Sequence, residues 1–229
     1  MYEPEPHDES TTLVRYVDQQ LEALRAAVYG LTEDQARSRP CRSALSVAGI
    51  VKHVVHGMRG AIEVLAAPEP PPLDEAAFEE YLAQFSLTDE ESVRDVLAAF
   101  DEVRPRYLEA LAAADPDAER LAPAAPWAGI PDARPVRTRY YLAHQLEEMA
   151  RHAGHADIVR EEVDGLAVPT LVMSRAGMPA NPFFTPTSRP RARSTPERGT
   201  VWVPAGSRPT LVRCPDSPSS PPSSRCSSR

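Results

Sequence analysis

The sequence predicts an all-α fold, a four-helix bundle followed by a disordered tail. Three observations predict it. Apolar residues recur at helical spacing in four long stretches of the first two thirds, β-branched alternation is almost absent there, and the chain turns to Pro, Ser and Arg near its end. At 229 residues the chain is long enough for one ordinary domain with a real core.

The first stretch runs from about Glu9 to Tyr29, with Leu13, Tyr16, Val17, Leu21, Leu24 and Val28 on one face. Ser10 or Thr11 is expected to cap it, and Gly30 to stop it. The segment LTEDQARSRP reads as a short helical turn closed by Pro40. The second long helix starts near Ser43 or Ser46 and ends before Pro68, carrying Val47, Ile50, Val51, Val54, Met58, Ile62 and Leu65. The third runs from about Asp89 to Ala114, and Pro105 inside it is expected to kink or divide it. The fourth runs from about Val136 to Val163 and is closed by Asp164-Gly165. Such helices span roughly 30–40 Å at 1.5 Å per residue, which fits a single bundle. The connector from about Pro68 to Thr88 opens with the stiff run APEPPPLDE and is long enough for a crossover, so the helices it joins need not be neighbours.

These readings divide the chain into a flexible N-terminus at 1–8, the bundle at 9–165 and a tail at 166–229. The tail holds 12 of the 25 prolines and ends in SPSSPPSSRCSSR, a composition expected to be disordered and dispensable for folding. Translation past a frameshift would produce the same Arg/Pro/Ser character. Charge divides along the same line. Residues 1–166 carry 31 acidic and 16 basic side chains, a balance of −15, and residues 167–229 carry 2 and 9, a balance of +7. The acidic folded part argues against nucleic acid as a partner, because phosphate neutralisation needs Lys and Arg. A single core cysteine, Cys41, implies a reducing compartment. The polar N-terminal residues are not a signal peptide, and no apolar run approaches about 18 residues, so a cytoplasmic protein without a membrane span is expected.

The fourth helix carries HQLEEMARHAGHAD. At 100° per residue, His144, Glu148, His152 and His155 point at about 0°, 40°, 80° and 20°, a single face that coincides with the apolar side of the helix. Imidazole and carboxylate groups facing a core are costly unless paired or bound to an ion. The second helix carries VKHVVHG, with His53 and His56 one turn apart among Val51, Val54 and Val55. A His on a facing helix would complete a three-ligand site with positions open to water or substrate. The same residues also satisfy a plainer reading as paired polar core groups, with His144 bonded to Glu148 and His155 to Asp157 or a backbone carbonyl. Cys41 follows Pro40 in a loop with no local His, which gives no support to a nucleophile there. Arg137, Arg139 and Arg151 read as solvated surface charges.

The stretches LTEDQARSRP, SALSVAGIVKHVVHG and HQLEEMARHAGHADIVREEVDG resemble the DinB-like superfamily, which includes mycothiol-dependent maleylpyruvate isomerases and thiol S-transferases. Their order is most similar to the uncharacterised mini-circle protein group, and the resemblance covers about residues 9–165. It implies a bundle of DinB-like type with one divalent ion, Zn²⁺ or Ni²⁺. Three ligands are implied by it: His53 within IVKH, Glu148 where many relatives carry a His, and His152 four residues later. Glu at that position is shared with the maleylpyruvate isomerase branch. His144 and His155 are then expected to orient the ligands by hydrogen bonding, and His56 reads equally as a polar residue at the bundle edge. The implied activity is a metal-dependent thiol S-transferase, acting as monomer or homodimer on an electrophilic substrate with a small thiol such as mycothiol. The alternatives are a non-catalytic bundle that binds metal or a partner, and a metal-dependent hydrolase.

Overall fold

The computed structural model describes residues 4–67, 75–124 and 129–187. Helix α1, Glu9–Ala27, starts where the Asp8 carboxylate accepts the Thr11 N–H at 2.8 Å, so Asp8 rather than Ser10 or Thr11 is the cap. Its buried face is Val17, Leu21 and Leu24, and Gly30 takes a left-handed φ of 76° just beyond it. Helix α2, Glu33–Arg37, is fixed by a reciprocal cap in which Thr32 and Gln35 each satisfy the other's backbone N–H. Helix α3, Val47–Ala66, is capped by Ser46, and α5, Val93–Ala113, by Ser92. Pro105 lies inside α5, which continues through it undivided.

The connector before α5 holds a further helix, α4, at Glu75–Ala83. Beyond α5 the strands β1, Glu119–Ala122, and β2, Arg134–Arg137, pair antiparallel with Glu119 opposite Arg137 and Ala122 opposite Arg134. Helix α6, Thr138–Asp164, follows directly. Both the N–H and the hydroxyl of Thr138 donate to the Ala118 carbonyl, at 2.9 and 3.1 Å, which anchors the start of α6 beside the hairpin. Gly165 closes α6 with φ 76°.

The four long helices form a ring. α3 packs on α5 and α6, and α1 packs on α6 and α5. The helices on either side of the long connector, α3 and α5, are therefore neighbours despite the room for a crossover. Val17, Leu21, Ile50, Met58, Phe100, Tyr107 and Leu111 fill the interior with no exposed surface. Tyr107 reaches across it to donate to the Gln145 side-chain oxygen at 3.0 Å.

Ordered structure continues past Gly165, contrary to the expectation of disorder from residue 166. Helix α7, Val168–Arg175, lies against α1, with Val168, Leu171 and Met173 buried and Arg175 bonded to Glu22 at 3.0 Å. Its apolar residues Val168, Leu171, Val172 and Met173 are diluted in the composition of the whole tail, but three of them are buried where α7 meets α1. Residues 188–229 lie outside the described residues. Leu171→Ala is expected to lower stability by about 2–5 kcal/mol, and a chain ending near Leu166 to melt well below the full length. Equal melting temperatures would show that α7 adds nothing to the bundle.

Candidate metal centre

His53 sits in the second turn of α3, and Glu148 and His152 lie one turn apart on α6. Because α3 packs on α6, the three side chains meet. One ligand atom from each falls within 4.8 Å of the other two. Glu148 Oε2 is 3.3 Å from His152 Nε2, and the His53 and His152 rings are 4.6 Å apart at 64°. Two donors about 2.0–2.1 Å from a tetrahedral Zn²⁺ stand about 3.3 Å apart, so the Glu148–His152 spacing already has that scale.

The electrostatics suit an ion as well. Burial lowers the His53 pKa to about 4, helped by the neighbouring His152 and opposed by its hydrogen bond to Gln84. Burial, with His155 and Arg151 nearby, lowers His152 to about 4. Both rings are therefore neutral near pH 7 and offer lone pairs, which metal ligation requires. His152 Nδ1 is buried without a hydrogen-bond partner among the described residues. Two neutral imidazoles and one carboxylate are a fitting donor set for Zn²⁺ or a similar divalent ion.

The remaining candidates fall elsewhere. The side chain of His144 is 48 % exposed and lies 3.4 Å from Glu147, which also binds Arg151. The shared face expected from the spacing spans about 80°, and His144 lies at its solvent edge. His144, Glu147 and Glu148 also cluster, but at the surface, with Glu147 already occupied by Arg151. The His155 ring is 5.6 Å from His152, with a buried Nδ1 that bonds neither Asp157 nor any other described group. His56 is half-buried, 3.9 Å from Glu80. Cys41 packs at the edge of the core. Arg137 and Arg139 both pair with Asp117.

One wall of the site comes from a segment that gave no signal in the sequence. Phe85 stacks on the His53 ring at 4.1 Å and 18°, Tyr81 meets it edge-on at 5.8 Å, and Gln84 Oε1 lies 3.2 Å from His53 Nδ1. These residues come from the end of α4 and the turn after it, where no periodicity marks them.

A family model described as mycothiol S-transferase matches residues 12–165, from the first turn of α1 to the glycine that closes α6. The chain belongs to the mycothiol S-transferase family. A mycothiol-related, thiol S-transferase-like function goes with that membership. The match agrees with the resemblance to the DinB-like superfamily, and the matched span contains His53, Glu148 and His152. No curated protein and no solved structure matches the chain. No helix among the described residues is long and apolar enough to cross a membrane.

Proposed function

We propose that this mycothiol S-transferase family member is metal-dependent, holding one divalent ion, Zn²⁺ or Ni²⁺, with His53, Glu148 and His152, and that it joins mycothiol or a similar small thiol to an electrophilic carbon. The observation that carries the reading is the convergence of three ligand atoms from two helices within 4.8 Å, with both imidazoles held neutral. When bound, the ion supplies Lewis acidity that lets a thiol lose its proton near neutral pH. The side chains do the rest. His53 and His152 stay neutral because they are buried, so they donate lone pairs without first shedding protons. Glu148 brings one negative charge, which offsets part of the ion's charge and tempers its acidity. Phe85 and Tyr81 cover His53 and keep water from one side of the site.

Elemental analysis of the purified protein tests the ligand set. Close to one ion per chain is expected for the wild type, with a large loss in His152→Ala. Equal, substoichiometric metal in both would remove the assignment. Turnover of an electrophile panel, with and without chelation and with and without added thiol, then tests the chemistry. Activity is expected only when metal and thiol are both present. Turnover without thiol would favour a hydrolase, and none under any pairing would favour a non-catalytic metal-binding bundle.

A further inference from the structure

We infer that Gln84 is a positioning residue, which holds the proton of His53 on Nδ1 and so leaves Nε2 as the nitrogen available to an ion. A neutral imidazole has one N–H and one lone pair, and the partner of one nitrogen decides which is which. Gln84 Oε1, 3.2 Å from His53 Nδ1, can only accept, so Nδ1 must donate. This inference rests on the metal reading above only for its consequence. The tautomer itself is a property of the protein without metal.

What makes Gln84 fit to fix a ring is how firmly its own segment is held. The Gln84 N–H closes α4 on the Glu80 and Tyr81 carbonyls at 3.2 and 3.3 Å. Immediately after it, the Ser86 carbonyl accepts from Lys52 Nζ at 3.0 Å, and the Ser86 hydroxyl accepts from Arg39 at 3.0 Å. Lys52 is the only lysine of the chain and the residue just before His53, so one turn of α3 carries both the ring and the anchor for its partner. Its ammonium is completed by Glu91 at 2.8 Å. Arg37 donates to the Thr88 carbonyl at 3.2 Å and also bonds the Glu91 carbonyl. The segment can approach this closely because residue 49, one turn before His53, is a glycine. A Cβ there would collide with the Phe85 carbonyl. Phe85 then stacks on the face of the same ring, so the plane and the proton of His53 are both set from outside its own helix. Hydrogen bonding of this kind to a metal-ligating imidazole is worth 10- to 100-fold in metal affinity.

The test uses the full chain in two measurements. Nitrogen NMR of the metal-free wild type is expected to show His53 as one tautomer, protonated at Nδ1 and bare at Nε2. In Gln84→Leu that preference is expected to be lost, and Zn²⁺ affinity, measured by competition with a chelator, to fall 10- to 100-fold. Gln84→Glu, which keeps an acceptor at the same place, is expected to retain both. A merely structural role in holding the turn would not distinguish the acceptor-bearing variant from leucine. The inference is overturned if wild-type His53 carries its proton on Nε2, or if Gln84→Leu leaves tautomer and affinity unchanged. The wild-type spectrum decides the first point even if Gln84→Leu fails to fold. A wild type that shows the Nδ1 tautomer but binds no Zn²⁺ would support the positioning role and overturn the metal reading instead.

Discussion

Replacing Asp164 with alanine is expected to destabilise the protein by about 3–5 kcal/mol, the largest loss expected from a single residue outside the site. Arg160 is the reason. Its side chain has no exposed surface and that of Asp164 only 4 %, and the two make a paired contact at 3.0 and 2.8 Å. The other arm of the guanidinium donates to the Ala27 and Tyr29 carbonyls at 2.7 and 2.9 Å. These are orphan acceptors at and just past the end of α1, so the arginine both caps that helix and ties it to the last turn of α6. Asp164 also accepts the Leu166 N–H at 3.2 Å, which fixes the turn into α7. Removing the carboxylate leaves a buried cation with carbonyl partners alone. The double replacement Arg160→Met with Asp164→Leu leaves no charge behind and is expected to cost less than either single change. Its residual loss comes from the two uncapped carbonyls. Chemical denaturation of Asp164→Ala, of Arg160→Met and Asp164→Leu singly, and of the double, at unchanged m, reads these values directly. A loss under about 1 kcal/mol for Asp164→Ala would mean that water reaches the guanidinium.

This clamp shows where sequence reading stops. The four long helices were legible because their apolar residues repeat every three or four positions and because Gly30 and Gly165 mark their ends. The residues that converge at the candidate site were legible for the same reason. His53, Glu148 and His152 interrupt apolar faces with groups that a core does not tolerate unpaired. Arg160 interrupts such a face too, but an arginine near a helix end also reads as a solvated side chain, and only its partners on α1 identify it as buried. His144 was misplaced by the opposite error. A face 80° wide includes both the core and its rim, and spacing alone does not say where the rim begins. The hairpin of β1 and β2 has four-residue strands, too short to show alternation. α7 has only eight residues, too few to show a sustained helical period at the head of a tail rich in Pro, Ser and Arg. Gln84 and Phe85 were illegible for a different reason. They act on His53 through the fold of a connector, and nothing within that connector's sequence refers to the helix it will touch.

Zn²⁺ affinity is expected to stay nearly flat between pH 7.5 and 5.5 so far as the two histidines are concerned. Protons compete with a metal for an imidazole by a factor of one plus ten to the power (pKa − pH). At pH 5.5, two histidines at the ordinary value near 6.5 would lose about 100-fold together. His53 and His152 are lowered to about 4, chiefly by burial, so almost no proton is bound to either at that pH and the combined loss is only about 6 %. The same depression has the opposite consequence for the metal-free fold. Between about pH 6.5 and 4 the unfolded chain takes up protons on these histidines that the folded chain refuses. Unfolding therefore binds protons, and stability falls as the pH falls through that window. Well above pH 6.5, from about pH 7.5, both states are neutral at these positions and the contribution vanishes. Metal-free protein should accordingly melt progressively lower from pH 6.5 downward, with His152→Phe, which cannot be protonated, showing a shallower slope. Chelator competition at several pH values and melting curves of the stripped protein measure the two halves separately. A 100-fold loss of Zn²⁺ affinity by pH 5.5 would place the histidines in water and contradict the buried site. A melting temperature independent of pH in the stripped protein would contradict it from the other side.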